Sequence, residues 1–171
     1  MGVRIVRTAQ ASWSGTVPDG GGRLALGSGA FEGPYSLRGR VEDGQHTANP
    51  EELIGLANAA CYTMSLADLL GGEGHPPQEL TTDARVHLEE GETNWSITRI
   101  ELHTVGKVDG VDAAEFERLA QQAKATCPVS RALAGTEITL VAELAEKQRE
   151  LSQKAIRSGG PEEKVVGRDG V

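Results

Sequence analysis

The chain has 171 residues, a formal net charge of −8 and only 4% aromatic side chains. That length suits one domain, with a core of Leu, Ile, Val and Ala that needs no disulfide staples. An acidic balance with no Lys/Arg-rich stripe argues against a nucleic-acid backbone or an anionic membrane surface as partner.

The N-terminus, MGVRIVRTAQASWSG, lacks the apolar core of a secretory signal. No uninterrupted apolar run reaches the ~18 residues that cross a bilayer. The protein is therefore expected in the cytoplasm. There, a chain with two cysteines holds a transient, catalytic disulfide more often than a stabilising one.

Residues 4–47 read as short strands and turns. RIVRTAQASWSGTV alternates in part, and PDGGGRLALGSG is a turn, a strand and a turn. PYSLRGRV reads as a strand with Ser36, Arg38 and Arg40 on one face. EDGQHTA is a loop. A long helix then spans NPEELIGLANAACYTMSLADLLGG. Asn49 suits the N-cap and Pro50 the first helical position, while Glu51 and Glu52 complement the helix dipole. Its apolar residues cover nearly the whole circumference, which predicts burial on all sides. GGEGHPP stops it.

TTDARVHLEEGETNWSITRIELHTVGKV reads as two long strands joined near Gly91. VDAAEFERLAQQAKAT is an amphipathic helix with Phe116, Leu119, Ala120 and Ala123 inward. CPVSRALAG restarts a short helix and TEITLVAEL is a last strand. The order is an α+β pattern. The expected domain is 1–145, followed over 146–171 by a polar extension, partly helical or disordered.

Cys61 lies about ten residues into the long helix, where a free cysteine ordinarily packs as a small hydrophobe. Cys127 stands at a helix start, where unsatisfied N–H groups lower a thiol's pKa. Arg38 and Arg40 are either a solvated face or the source of a fixed cation for a thiolate. The four histidines show no metal-ligand spacing, and no nucleotide-binding glycine motif or serine-nucleophile elbow occurs. No cofactor or metal is expected.

At NPEELIG…AACYTMSLA and KATCPVSRAL the sequence resembles the OsmC/Ohr family of thiol-dependent peroxidases. AxWxG at Trp13, Pro34–Tyr35 and ITxIxL at Ile97–Leu102 add to the likeness, which covers roughly residues 5–145. The resemblance implies that Cys61 is the peroxidatic and Cys127 the resolving cysteine. It places the active-site arginine on Arg40, with Arg38 the alternative, and the glutamate on Glu51. It implies an intertwined homodimer with a long buried central helix against curved antiparallel sheets. The implied reaction reduces organic hydroperoxides to alcohols, in oxidative or osmotic stress defence. A Cys61 sulfenic acid closes to a Cys61–Cys127 disulfide, which an external dithiol reopens, either a small dithiol or a lipoyl-bearing protein. Other readings are a redox-sensing or interaction protein that uses the cysteine pair as a switch without turnover, and a plain structural dimer.

Spacing adds one constraint. Glu51 and Cys61 are ten residues apart on one helix, about 15 Å along its axis. If they share a site, Glu51 comes from the other subunit together with its arginine. Tyr62, Met64, Phe31 and Tyr35 either line a pocket suited to an alkyl or aryl hydroperoxide or pack in the core.

Overall fold

The computed structural model of the protein describes residues 2, 4–42 and 45–145. The expected extension over 146–171 lies outside the described residues. Three short strands come first, β1 (Ala9–Ser14), β2 (Gly21–Leu26) and β3 (Glu32–Tyr35), paired antiparallel in chain order. Every residue of β1 is exposed, Trp13 included, and Leu26 and Phe31 are exposed beyond it.

The stretch read as an Arg-bearing strand is corrected. Its end forms a short helix, α1 (Leu37–Val41), and only Glu32–Tyr35 is strand. The Ser36 hydroxyl accepts from the Gly39 N–H at 3.2 Å and starts the turn. Arg38 then pairs with Glu42 one helical turn on.

The long helix is α2 (Pro50–Gly72). Asn49 caps it as expected, its Oδ1 accepting from the Glu52 N–H at 2.8 Å. At the far end the His75 N–H returns to the Leu70 carbonyl at 2.8 Å, past Gly74, whose φ of 85° closes the turn. By length and composition α2 is apolar enough to cross a membrane, although Asn58, Thr63, Ser65 and Asp68 interrupt its apolar run. Here it is a core helix with Tyr62, Leu66 and Leu70 fully buried. The expectation of burial on all sides is also corrected for the single chain. Leu56 and Met64 are 67% and 75% exposed, with Ala57 and Ala60 exposed beside them.

The second sheet carries most of the core. β4 (Glu79–Glu90) and β5 (Trp95–Lys107) form an antiparallel hairpin, and β6 (Glu137–Leu144) lies parallel to β5. A parallel neighbour requires a crossover, and α3 (Ala113–Thr126) with α4 (Pro128–Ala132) makes it. β5 alternates as a one-sided strand does. Ile100, Leu102, Thr104 and Gly106 point inward, while Glu101 and His103 pair outward with His87 and Glu143. Onto the inner face pack Phe116, Leu119, Ala120 and Ala123 of α3, the i, i+3, i+4, i+7 set expected from the sequence.

Hydroxyls fix how α2 sits on this sheet. Thr63 lies 2.7 Å from Thr82, and Thr82 lies 2.8 Å from the buried Thr104, joining α2, β4 and β5. Gly55 lets the helix close in, since a Cβ there would stand 3.2 Å from Val86.

Gly106 makes the tightest demand on the core. A Cβ there would stand 2.6 Å from the Phe116 ring and 3.0 Å from Leu80. Gly106→Ala should therefore cost about 1–3 kcal/mol by overpacking. Urea unfolding should show a lower midpoint with an unchanged slope.

Candidate active site

The sequence singled out Cys61, Cys127, Arg40 and Glu51, and the structure gathers them into two separate pairs. Cys61 is half-buried in the middle of α2, and Cys127 is fully buried where α3 gives way to α4. Both are free thiols and hydrogen-bonding neighbours.

The position of Cys127 follows from local chemistry. Its N–H donates to the Ala123 carbonyl at 2.9 Å and ends α3. Pro128 begins α4, and the Cys127 sulfur accepts from the Ser130 N–H at 3.5 Å as its N-cap. The expectation that Cys127 opens a helix therefore holds.

The two thiols are held differently. Burial pushes the Cys61 thiol up, and hydrogen bonding to Cys127 pushes it the same way, against a smaller pull from the Val129 N–H. Burial also pushes Cys127 up. The Ser130 N–H and the Cys61 thiol outweigh it, with help from Val129, and the net direction is down. Burial and Cys127 thus oppose ionisation of Cys61, while N–H donors favour it at Cys127.

The second pair stands at the start of α2. Arg40 meets Glu51 side-on, through Nε at 3.1 Å to both carboxylate oxygens and Nη2 at 2.6 Å to one. The bond to Glu51 raises the Arg40 pKa further above its usual value. Glu51 is 8% exposed. Nη1 of Arg40 has no partner among the described residues. Gly39 makes the approach of α1 possible, because a Cβ there would stand 1.8 Å from Thr47 Oγ1. Arg38, the alternative arginine, is instead exposed and held by Glu42. Beside Glu51, between α2 and β4, opens a groove of about 390 Å3 lined by Gly55, Leu56, Ala59 and Val86.

The four residues expected to line a common pocket are not brought together. Tyr62 is fully buried in the core, while Met64 lies on the open face of α2. Phe31 borders an apolar groove with Leu24, Leu26 and Leu53. Tyr35 packs edge-on against Trp13, ring centroids 5.2 Å apart. Core packing claims the first, and two different surfaces claim the rest.

Two polar residues beside the thiols were passed over in the sequence, Asn58 and Ser130. The available signal was Asn58 itself, a lone amide on an apolar helix three residues before Cys61. Among the described residues no group of three His, Cys, Asp or Glu is placed to hold a metal ion.

A family model described as OsmC-like protein matches residues 42–142. Peroxiredoxin OsmC of Escherichia coli (strain K12) is 42% identical over 137 residues, which are 80% of this chain and 94% of that protein. Organic hydroperoxide resistance protein OhrA of Bacillus subtilis (strain 168) is 30% identical over 107 residues, 63% of this chain and 74% of that one. Among solved structures, an organic hydroperoxide resistance protein OsmC from Legionella pneumophila superposes with a TM-score of 0.63 at 19% identity. It covers 83% of this chain and 99% of its own, a likeness of fold.

The Arg40–Glu51 pair yields an asymmetric prediction. Arg40→Ala leaves a nearly buried carboxylate without its partner and should cost about 1–3 kcal/mol. Glu51→Gln should cost less, because the Arg40 side chain is 38% exposed and regains water. Denaturation of both single variants and the double variant measures the coupling.

Proposed function

The chain belongs to the OsmC-like family, and on that footing we propose that it is a thiol-dependent peroxidase acting on organic hydroperoxides. Peroxide defence is the role carried by the names of both curated relatives. The observation that carries the reading here is the meeting of two free thiols, one of them set into a helix cap. The catalytic unit is residues 1–145.

Cys61, as thiolate, attacks one peroxide oxygen. The O–O bond breaks, the alkoxide leaves and takes a proton, and the sulfur becomes a sulfenic acid. The Cys127 thiolate then attacks that sulfur. The S–S bond forms and hydroxide leaves, to be protonated to water. An external dithiol, small or lipoyl-borne, reopens the disulfide by exchange and is itself oxidised.

Arg40 is the cation that this sequence requires. An ordinary thiol titrates near 8.5, and burial holds Cys61 higher still. A guanidinium beside it stabilises both the thiolate and the oxyanion that develops as the peroxide bond breaks. Glu51 holds that guanidinium in one rotamer while Nη1 stays available. The pair cannot serve the Cys61 of its own helix, about 15 Å further along the axis. The active form is therefore a homodimer in which each Arg40–Glu51 pair faces the thiol of the other copy. The exposed stripe of Leu56, Ala60 and Met64 and the uncovered first sheet are the apolar surfaces such a partner would bury.

Two experiments test this. Reduced wild type given one equivalent of tert-butyl hydroperoxide should lose two titratable thiols to an intrachain disulfide. Cys127→Ser should instead carry a sulfenic or over-oxidised Cys61. A Cys61 that stays a free thiol in Cys127→Ser sinks the assignment. Turnover with excess dithiol separates an enzyme from a switch.

Complementation tests the shared site. Cys61→Ser and Arg40→Met chains should each be inactive alone. Mixed and reassembled in equal amounts, they should recover about a quarter of wild-type activity, because half the dimers hold one intact site of two. No recovery in verified mixed dimers would place Arg40 and Cys61 in one chain.

A further inference from the structure

Two buried polar side chains beside the thiols have no part in the chemistry above. Asn58 is fully buried on α2, three residues before Cys61, and Ser130 is buried in α4, three residues after Cys127. The Ser130 hydroxyl donates to Asn58 Oδ1 at 2.8 Å, a bond from α4 to α2. The same turn of α4 directs the Ser130 N–H at Cys127, and its Val129 N–H pulls the pKa of both thiols down. Asn58 therefore grips the backbone that solvates both sulfurs.

Stability alone does not account for this amide. Asn58 Nδ2 is buried without a partner, and a buried amide with unmade bonds is costly. An apolar residue of the same size would avoid that cost. The two ends of an amide are assigned by their bonding. Turned over, Nδ2 would donate to Ser130 Oγ, and the hydroxyl proton would be free to swing onto the Cys127 sulfur. Either way round, Asn58 keeps Ser130 tied to α2.

We propose that Asn58 is a positioning residue for the resolving thiol: by holding Ser130, it fixes the turn that aims the Cys127 sulfur at Cys61. The proposal rests on the assignment of Cys127 as the resolving thiol. It acts on the second step, attack of the Cys127 thiolate on the oxidised Cys61 sulfur. When that attack is slow, a second hydroperoxide molecule transfers an oxygen to the sulfenic acid, giving a Cys61 sulfinic acid and a second alcohol.

The test uses the full reduced chain in two arms, each read by intact mass. In the first, diamide drives disulfide closure without any peroxide. Asn58→Leu should close about tenfold more slowly than wild type, the loss expected for one hydrogen bond of ordinary strength. Ser130→Ala should match it, and the double variant should be no slower than either, because both act through one contact. Ser130→Thr, which restores the hydroxyl, should recover the wild-type rate. In the second arm, rising tert-butyl hydroperoxide should convert a larger share of Cys61 to sulfinic acid in Asn58→Leu than in wild type. Global stability does not move this partition. The double variant also removes both polar partners at once, which is close to neutral for folding. Closure of Asn58→Leu or of the double variant at the wild-type rate overturns the proposal. Wild type that closes with diamide but is inert to hydroperoxide overturns the peroxidase reading instead, and the diamide arm still decides on Asn58.

Discussion

An α-helix rises about 1.5 Å per residue, so its first turn and its middle cannot both touch one small molecule. In this chain α2 carries a charged pair at the first place and a thiol pair at the second. Asn49, Pro50 and the first-turn acids fix where the helix starts, and so where Glu51 stands. Gly55 and the Thr63–Thr82–Thr104 hydroxyls fix its depth on the sheet, and so where Cys61 stands. From beside the first pair to past the second runs the stripe of Leu56, Ala60 and Met64, exposed among the described residues. Rigidity keeps the parts of the proposed site apart within one chain, which is why the proposal needs a second copy related by a two-fold axis.

The thiols obey the same separation. Desolvation opposes ionisation at both sulfurs, so the balance turns on which one has N–H donors. α4 places its Ser130 N–H on Cys127. Cys61 receives a weaker share, from Val129, and must also contend with Cys127 itself. The sulfur best prepared to ionise in the isolated chain is therefore the one with no access to solvent. The partly exposed Cys61 thiol is instead pushed up, by burial and by Cys127. Peroxidase chemistry at Cys61 requires a positive charge that its own surroundings do not provide.

Much of this was legible in the sequence. The caps of α2 and α4, the inward face of α3 and the β4–β5 hairpin follow from residue types whose bonding is local. The stretch PYSLRGRV was misread because an eight-residue alternation with a central glycine fits a strand or a turn of helix equally well. The deciding signals were the Ser36 cap and the Arg38–Glu42 spacing, both visible in the sequence. The open face of α2 is a different case. Hydropathy shows that a surface avoids water, and it does not say whether the same chain or another covers it. Leu56 and Met64 are as apolar as Leu66 and Leu70, yet only the latter pair is buried. Tyr62, Met64, Phe31 and Tyr35 share a chemical type, yet within one chain they belong to different surfaces.

Asn58 shows where residue type alone runs out. In the sequence it is one amide within LANAAC, and its bland reading is a tolerated polar residue in a greasy helix. Only the packing of α4 on α2 puts a hydroxyl at 2.8 Å and a thiol cap on the next turn of backbone. A cavity or an exposed amide would release this contact, so its persistence depends on the surrounding core being close-packed. That core joins Tyr62 and Leu66 of α2 to Ala123 and Cys127 at the end of α3. The geometry of the thiol pair is thus set twice, by apolar packing that brings α2 and α3 together and by one polar bond that fixes α4 upon them. Val129 and Leu133 pack the five-residue helix against the core, but apolar contacts carry little directional preference. A single directional hydrogen bond supplies that preference, which is what an attack along the axis of a breaking S–O bond requires.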